Sequence, residues 1–239
     1  MTTLPARPTP RSRRWSTRLL GWTVGMAILG PGGVTLLNAL VPDASALGPL
    51  MRRVHVQPLN PVLAQAVVER EDRRYYQHGG LDLPGLLRAA WSSVSGGPLE
   101  GGSTLTQQLV KNTLLIDQHG ARTLKRKVQE AWLAQQVERR YSKVDILKAY
   151  LATAYWGAAG GKQLTGSGQA AVGYFHVPQS RLNLAQSAYL AVLLPSPARA
   201  GQTAFLRPLI RLLLDQMVAD GRASRQAADL AWRETLRRS

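Results

Sequence analysis

The chain has 239 residues, 45% of them hydrophobic, with 30 Lys and Arg against 14 Asp and Glu, a formal net charge of +16 and no cysteine. That length and apolar content allow one sizeable domain with an appendage, and exclude a short peptide or a multidomain array. The charge selects polyanions or an anionic membrane surface as partners, and the missing thiols exclude a disulfide framework, a thiolate metal site and a cysteine nucleophile.

Leu19 to Val41 carries no charged residue, and it is long enough for a helix to cross a hydrocarbon core of about 30 Å. Arg7, Arg11, Arg13, Arg14 and Arg18 precede it and Asp43 follows, so the positive-inside rule keeps residues 1–18 cytoplasmic, makes 19–41 a transmembrane anchor and puts 42–239 outside the plasma (inner) membrane. A cleaved signal peptide is the rival, since Ala44-Ser45-Ala46 has the small residues of a cleavage site, although the apolar run exceeds the usual signal core.

Beyond the anchor the signals are helical and show no internal repeat, so one compact, almost all-α domain is expected. Asn60-Pro61 is an N-cap followed by a residue suited to the first helical position, and the helix it opens runs to about Arg74 before Gly79-Gly80. Thr104 to Gln107 has capping-box spacing and opens a helix to about Leu114; Ser142 to Asp145 opens another to about Tyr155. Arg122 to Arg140 is made of good helix formers, Leu184 to Leu194 is apolar and stops at Pro195, and two amphipathic stretches, Phe205 to Ala219 and Ala223 to Leu236, close the chain. No alternating pattern predicts a strand.

Three places carry chemistry. Leu63, Val67 and Glu71 share one helix face, so a carboxyl sits among core residues in a last turn, where partial burial and the helix dipole both favour its neutral form and suit a general base. A solvated glutamate paired with its arginine neighbours is the plainer reading. The run from Gly101 to Asn112 (GGSTLTQQLVKN) puts glycines, two hydroxyls and Lys111 at a helix start, a cradle suited to phosphate and equally an ordinary loop. Glu130 lies amid Arg122, Lys125, Arg126 and Lys127, which favour its ionised form. Two carboxyls in contrasting environments suit separate roles in one reaction, and an ion-paired helix face would look the same.

Taken together, Glu71 to Asp82 (EDRRYYQHGGLD), Gly101 to Asn112, Arg126 to Glu130 (RKVQE) and Ile146 to Gly157 (ILKAYLATAYWG) resemble, in order and spacing, the family 51 glycosyltransferases. These are the polymerase domains of class A penicillin-binding proteins and of monofunctional peptidoglycan transglycosylases. The resemblance spans roughly Leu50 to Ala200. It implies a lysozyme-like, mainly α-helical domain with a small membrane-proximal jaw subdomain, preceded by one transmembrane helix. It implies a cleft for lipid II and the growing lipid-linked glycan. Glu71 would be the general base and Glu130 the second carboxylate, orienting the donor or holding a divalent cation, magnesium or manganese, at the diphosphate. Asp72, His78, Ser103, Thr104, Gln107, Gln108, Lys111, Arg122 and Lys127 would bind substrate. Leu83, Leu86, Leu87 and Trp91 would touch lipid or form plain core. The implied partners are the membrane and other cell-wall synthases, with no nucleic acid. A peptidoglycan-cleaving enzyme or a degenerate membrane-tethered scaffold are the rival readings.

The sequence departs from the family pattern at Ala152, where Asn is usual, at Gln169, where Ile is usual, and at His176, where Gly is usual. It carries no Ser-x-x-Lys, Ser-x-Asn or Lys-Thr-Gly, so a monofunctional enzyme that β-lactams do not acylate is expected.

Overall fold

A computed structural model describes residues 33, 35, 38–39, 41–95, 101–116 and 123–237. Its helices are α1 (Gly48–His55), α2 (Pro61–Glu71), α3 (Leu83–Val94), α4 (Leu105–Thr113), α5 (Leu124–Arg140), α6 (Lys143–Thr153), α7 (Ser167–Phe175), α8 (Leu184–Leu193), α9 (Thr203–Ala219) and α10 (Arg225–Arg237). The domain is therefore mainly helical, as expected. The expected anchor, residues 19–41, lies almost wholly outside the described residues, and among those that are described no helix is long and apolar enough to cross a membrane.

The centre of the fold is the pairing of α2 with α8. Asn60 caps α2 by accepting from the Leu63 amide at 2.9 Å, and its Nδ2 donates to Gln179 O and Leu182 O, tying the helix start to the approach to α8. Both helices are apolar around most of their circumference, as a doubly covered helix must be. Leu63, Ala66 and Val67 meet a core that includes Ala188, Leu190, Ala191 and Leu193, all at 0% exposure. Alanines at this contact let the backbones approach closely. Of the other helices, α9 and α10 pack on this pair, while α4 packs on α5 and α6.

Three expectations need correction. The helix from Pro61 ends at Glu71 rather than near Arg74, because Asp72 leaves helical geometry at φ −158° and ψ 68°. A two-stranded antiparallel sheet, β1 (Tyr155–Ala159) with β2 (Lys162–Thr165), follows α6 where no strand was predicted. Its strands are too short and too poor in alternating apolar residues to register, although Gly160-Gly161 at the turn is a hairpin signal. The register slips between Tyr155 and Ala158. There Gly157 sits at φ +96°, where a Cβ would lie 2.8 Å from both Pro197 O and Tyr174 Oη. Finally, α1, α3 and α7 had no cap signal strong enough to announce them.

The departures from the family pattern find local accounts. Gln169 accepts from the Thr165 amide at 3.1 Å and so closes the turn from β2 into α7. Ala152 is partly buried against the core, and Gly166 passes so close that a Cβ there would lie 2.7 Å from Ala152 O. His176 caps α7 at φ 57°, the one non-glycine residue of positive φ among those described. That conformation costs an L-residue roughly 1–2 kcal/mol. His176→Gly is therefore expected to stabilise the protein by about 0.5–1 kcal/mol after glycine's own entropic cost, raising Tm by roughly 1–4 °C in a circular-dichroism melt.

Candidate active site

The carboxyl-rich run at the end of α2 splits in three directions. Glu69 turns inward, its side chain at 0% exposure, with Arg73 Nε 3.0 Å from Oε1 and Arg222 Nε 3.0 Å from Oε2. Arg73 also clamps Asp220, through Nε at 2.7 Å and a second contact from its terminal nitrogen, while Arg222 donates to Arg73 O at 3.2 Å. Burial raises the Glu69 carboxyl, opposed by the charge of Arg222.

Glu71 points the other way. Its Oε2 accepts from Gln108 Nε2 at 2.9 Å, and Gln108 Oε1 accepts in turn from the Tyr150 hydroxyl at 3.1 Å. Glu71 keeps partial solvent contact, yet dense protein around the carboxyl desolvates it. That burial pushes the group above its ordinary 4.5, opposed by the Gln108 hydrogen bond and by the charges of Arg70 and Lys111, with Asp72 adding a smaller upward push. The expected environment for a base is present, for the expected reason of desolvation.

Asp72 takes the third direction. Its carboxylate accepts from His78 Nε2 at 2.9 and 3.1 Å and from the Leu105 amide at 3.0 Å. It thereby pins the first turn of α4 against the end of α2. With Asp72 at 7% exposure and the His78 side chain at 5%, both face protein. Both side chains take part in holding the junction of α2 and α4.

The start of α4 is held by contacts of its own. Thr104 Oγ1 accepts from the Gln107 amide and donates to Gly80 O at 2.8 Å, while Gln107 Oε1 accepts from the Thr104 amide at 2.8 Å. This is a complete capping box, and with Leu105 N–H spent on Asp72 the helix start has few donors left for a phosphate. Gly80, at φ +90°, comes so close to α5 that a Cβ would lie 2.8 Å from Gln135 N. Beneath α4, Thr106 donates to Glu138 at 2.6 Å, Lys143 donates to Glu138 at 2.8 Å, and Tyr75 Oη donates to Lys143 O at 2.7 Å. Neither this buried network nor Tyr150 was singled out from sequence.

Facing Glu71 from α4 and α5 is a group of cations. Glu130, at 1% exposure, has Arg126 Nε 3.1 Å from Oε1 and accepts from Lys127 Nζ at 2.6 Å through Oε2; Lys127 also donates to Ser103 Oγ at 3.1 Å. Lys111 has no hydrogen-bond or ion-pair partner among the described residues. Burial lowers its ammonium, while the carboxylates Glu130 and Glu71 both act to raise it and the cations Lys127 and Arg126 to lower it, so Lys111 stands between the two acids. Arg122 lies outside the described residues. Lys111, Arg126 and Lys127 are three cations against the two acids Glu130 and Glu71, which leaves the place electropositive and suited to an anion. A resident divalent cation fits poorly: both Glu130 oxygens face cationic side chains, and no group of three or more metal-ligating side chains occurs among the described residues.

A separate cavity of about 190 Å³ is walled by Tyr174, Phe175, Tyr189, Leu206 and Ile210 among others and contains none of these groups.

Residues 48–218 match the family model described as transglycosylase. A biosynthetic peptidoglycan transglycosylase of Pseudomonas putida is 41% identical over 198 residues, covering 78% of this chain and 81% of that protein. Penicillin-binding protein 1A/1B of Bacillus subtilis is 43% identical over 148 residues, 60% of this chain and 15% of that protein. Penicillin-binding protein 1A of Mycobacterium tuberculosis is 35% identical over 172 residues, 72% of this chain and 20% of that protein. The chain thus spans about a fifth or less of these penicillin-binding proteins and most of the Pseudomonas protein.

Proposed function

The chain belongs to the transglycosylase family, and from that premise we propose that it is a peptidoglycan glycosyltransferase, polymerising lipid II into β-1,4-linked glycan. The observation that carries this reading is a desolvated carboxyl, Glu71, held by Gln108 near the ammonium of Lys111, which has no partner among the described residues. In the proposed reaction Glu71 takes the proton of the acceptor sugar's 4-hydroxyl as that oxygen attacks the donor's anomeric carbon. The bond from that carbon to the diphosphate breaks with inversion, and undecaprenyl diphosphate departs against the fixed charges of Lys111, Lys127 and Arg126. Glu130 orients these cations. We derive no step through a divalent cation, given the donor set around Glu130.

The finer architecture is part of the same proposal. We read the helical arrangement as lysozyme-like, α3 with its flanking residues as the jaw, residues 1–18 as a cytoplasmic tail, 19–41 as the anchor and 42–239 as an extracytoplasmic domain. Support for a retained anchor comes from where it meets the domain. Asn38 accepts from Trp132 Nε1 and Gln136 Nε2, both at 3.0 Å, and Ala44 and Leu47 are buried around the Ala44-Ser45-Ala46 site.

The exposed face of α3 supports membrane contact. Leu83, Leu87 and Trp91 are 51%, 73% and 75% exposed, and their spacing aligns them on one side. Because the chain has no cysteine, a single fluorophore can be placed at Leu87→Cys or, on α7, at Val172→Cys. In liposomes the label at 87 is expected to lie about 5–10 Å below the headgroup boundary and to be quenched by lipid-borne quenchers, while the label at 172 stays in water. Equal quenching would remove α3 from the membrane.

The test of function is incubation of the detergent-solubilised protein with labelled lipid II, beside Glu71→Gln. A ladder of polymer from the wild type alone supports the polymerase. Shortening of preformed glycan would make it a cleaving enzyme, and folded protein that binds lipid II without reaction would make it a scaffold.

A further inference from the structure

We propose that Tyr150 is a positioning residue that fixes the Gln108 amide with its nitrogen toward Glu71, and thereby keeps that carboxyl in the deprotonated form a base needs. The catalytic consequence rests on the polymerase reading; the positioning itself does not.

A glutamine amide has nearly the same shape in its two flipped orientations and opposite electrostatics. With nitrogen toward Glu71, as here at 2.9 Å, it stabilises the carboxylate. With oxygen toward Glu71 it would repel the carboxylate and accept from the protonated acid instead. Something must choose between the two. Tyr150 is 2% exposed, and its hydroxyl has one hydrogen-bond partner among the described residues, Gln108 Oε1 at 3.1 Å. In the flipped orientation the hydroxyl would accept from the amide nitrogen, and its own hydrogen would be left buried without an acceptor, a costly arrangement. The phenol thus disfavours the flip from the far side of the amide.

The other charged groups near Glu71 are Arg70 and Asp72, which adjoin it on the chain, and Lys111 on α4; the side-chain hydrogen bonds of the Gln108 amide among the described residues go to Glu71 and Tyr150. Burial also keeps the phenol itself far from ionisation, so it acts as a neutral donor throughout the working range. The Gln108 amide on α4 thus links Glu71 on α2 to Tyr150 on α6.

The test is a titration of the Glu71 carboxyl in the full chain in detergent, without substrate, by ¹³C-glutamate NMR with Glu71→Gln to assign the signal. In Tyr150→Phe the carboxyl is expected to lose its proton at higher pH than in the wild type. Gln108→Met should move it in the same direction, and adding Tyr150→Phe to Gln108→Met should move it no further. A fluorinated tyrosine at 150, nearly equal in size and a stronger donor, should move it the opposite way, which keeps the idea testable if Tyr150→Phe folds poorly. In polymerisation, kcat/KM of Tyr150→Phe should fall about three- to tenfold on the acid side, the worth of one hydrogen bond, and converge with the wild type at alkaline pH. An unchanged Glu71 titration in folded Tyr150→Phe and in the fluorinated protein, or a further move in the double variant, would overturn the proposal. Wild-type protein that makes no polymer would overturn the polymerase reading alone.

Discussion

Glu71→Gln is expected to remove polymer formation by a factor of about 10²–10⁴, the usual contribution of a general base, while making the protein more stable. The two effects share one cause. Burial raises this carboxyl above 4.5 in the folded chain, so the folded state holds its proton over a range where the unfolded state has released it. The native form binds more protons there, and stability falls as pH climbs through that range. Below 4.5 the acid is neutral in both states and the glutamine gains nothing; above the folded value the gain is complete. About 1 kcal/mol is a typical size for relieving such a site, which would raise Tm by roughly 2–4 °C. Melts of the wild type and Glu71→Gln across pH test the second half, and lipid II polymerisation tests the first. A variant that loses activity and stability together would mean that Glu71 is structural.

Glu130 should behave in the opposite sense. It is almost fully buried between Arg126, whose side chain is 10% exposed, and Lys127. Glu130→Ala removes the carboxylate that Arg126 and Lys127 share. Breaking a buried pair in this way costs about 3–5 kcal/mol, or roughly 6–20 °C in Tm. Glu130→Gln keeps the shape and one acceptor, so a loss of about 1–3 kcal/mol is expected. Measured at a temperature where it is folded, this second variant should still polymerise about a hundredfold more slowly, because Lys127 loses the contact that aims it. Calorimetry of both variants checks the order; equal melting temperatures would mean that the ion pairs hold nothing in place.

Helix starts were the most legible part of the fold. Asn60-Pro61, Thr104 with Gln107, and Ser142 ahead of Asp145 are local chemistry, and each caps its helix in the structure. By contrast, α3 presents Leu83, Leu87 and Trp91 outward, and a helix whose apolar side faces away from the core breaks the pattern by which helices are read. Within the site, the contrast between Glu71 and Glu130 followed from spacing and neighbouring charge. The identity of each polar group's partner did not. Leu105 N–H meets Asp72, 33 positions away, a partner that no local pattern announces. Tyr150 escaped notice because a tyrosine in an apolar helix looks like core until the amide at its tip is visible.

The buried Glu69 cluster bears on where this domain can be cut. Its two arginines lie far apart in the chain, Arg73 just after α2 and Arg222 in the turn between α9 and α10, and Asp220 pairs with Arg73. Asp220 and Arg222 lie past residue 218, where the family match ends. A protein trimmed to that boundary would keep a carboxylate with 0% side-chain exposure, two residues before the proposed base, and lose one of the two cations that neutralise it. It would also lose Ala228 and Ala231 from the core. A unit that keeps this cluster and its core must therefore run past the matched residues 48–218, to Arg222 for the ion pairs and to Ala231 for the packing.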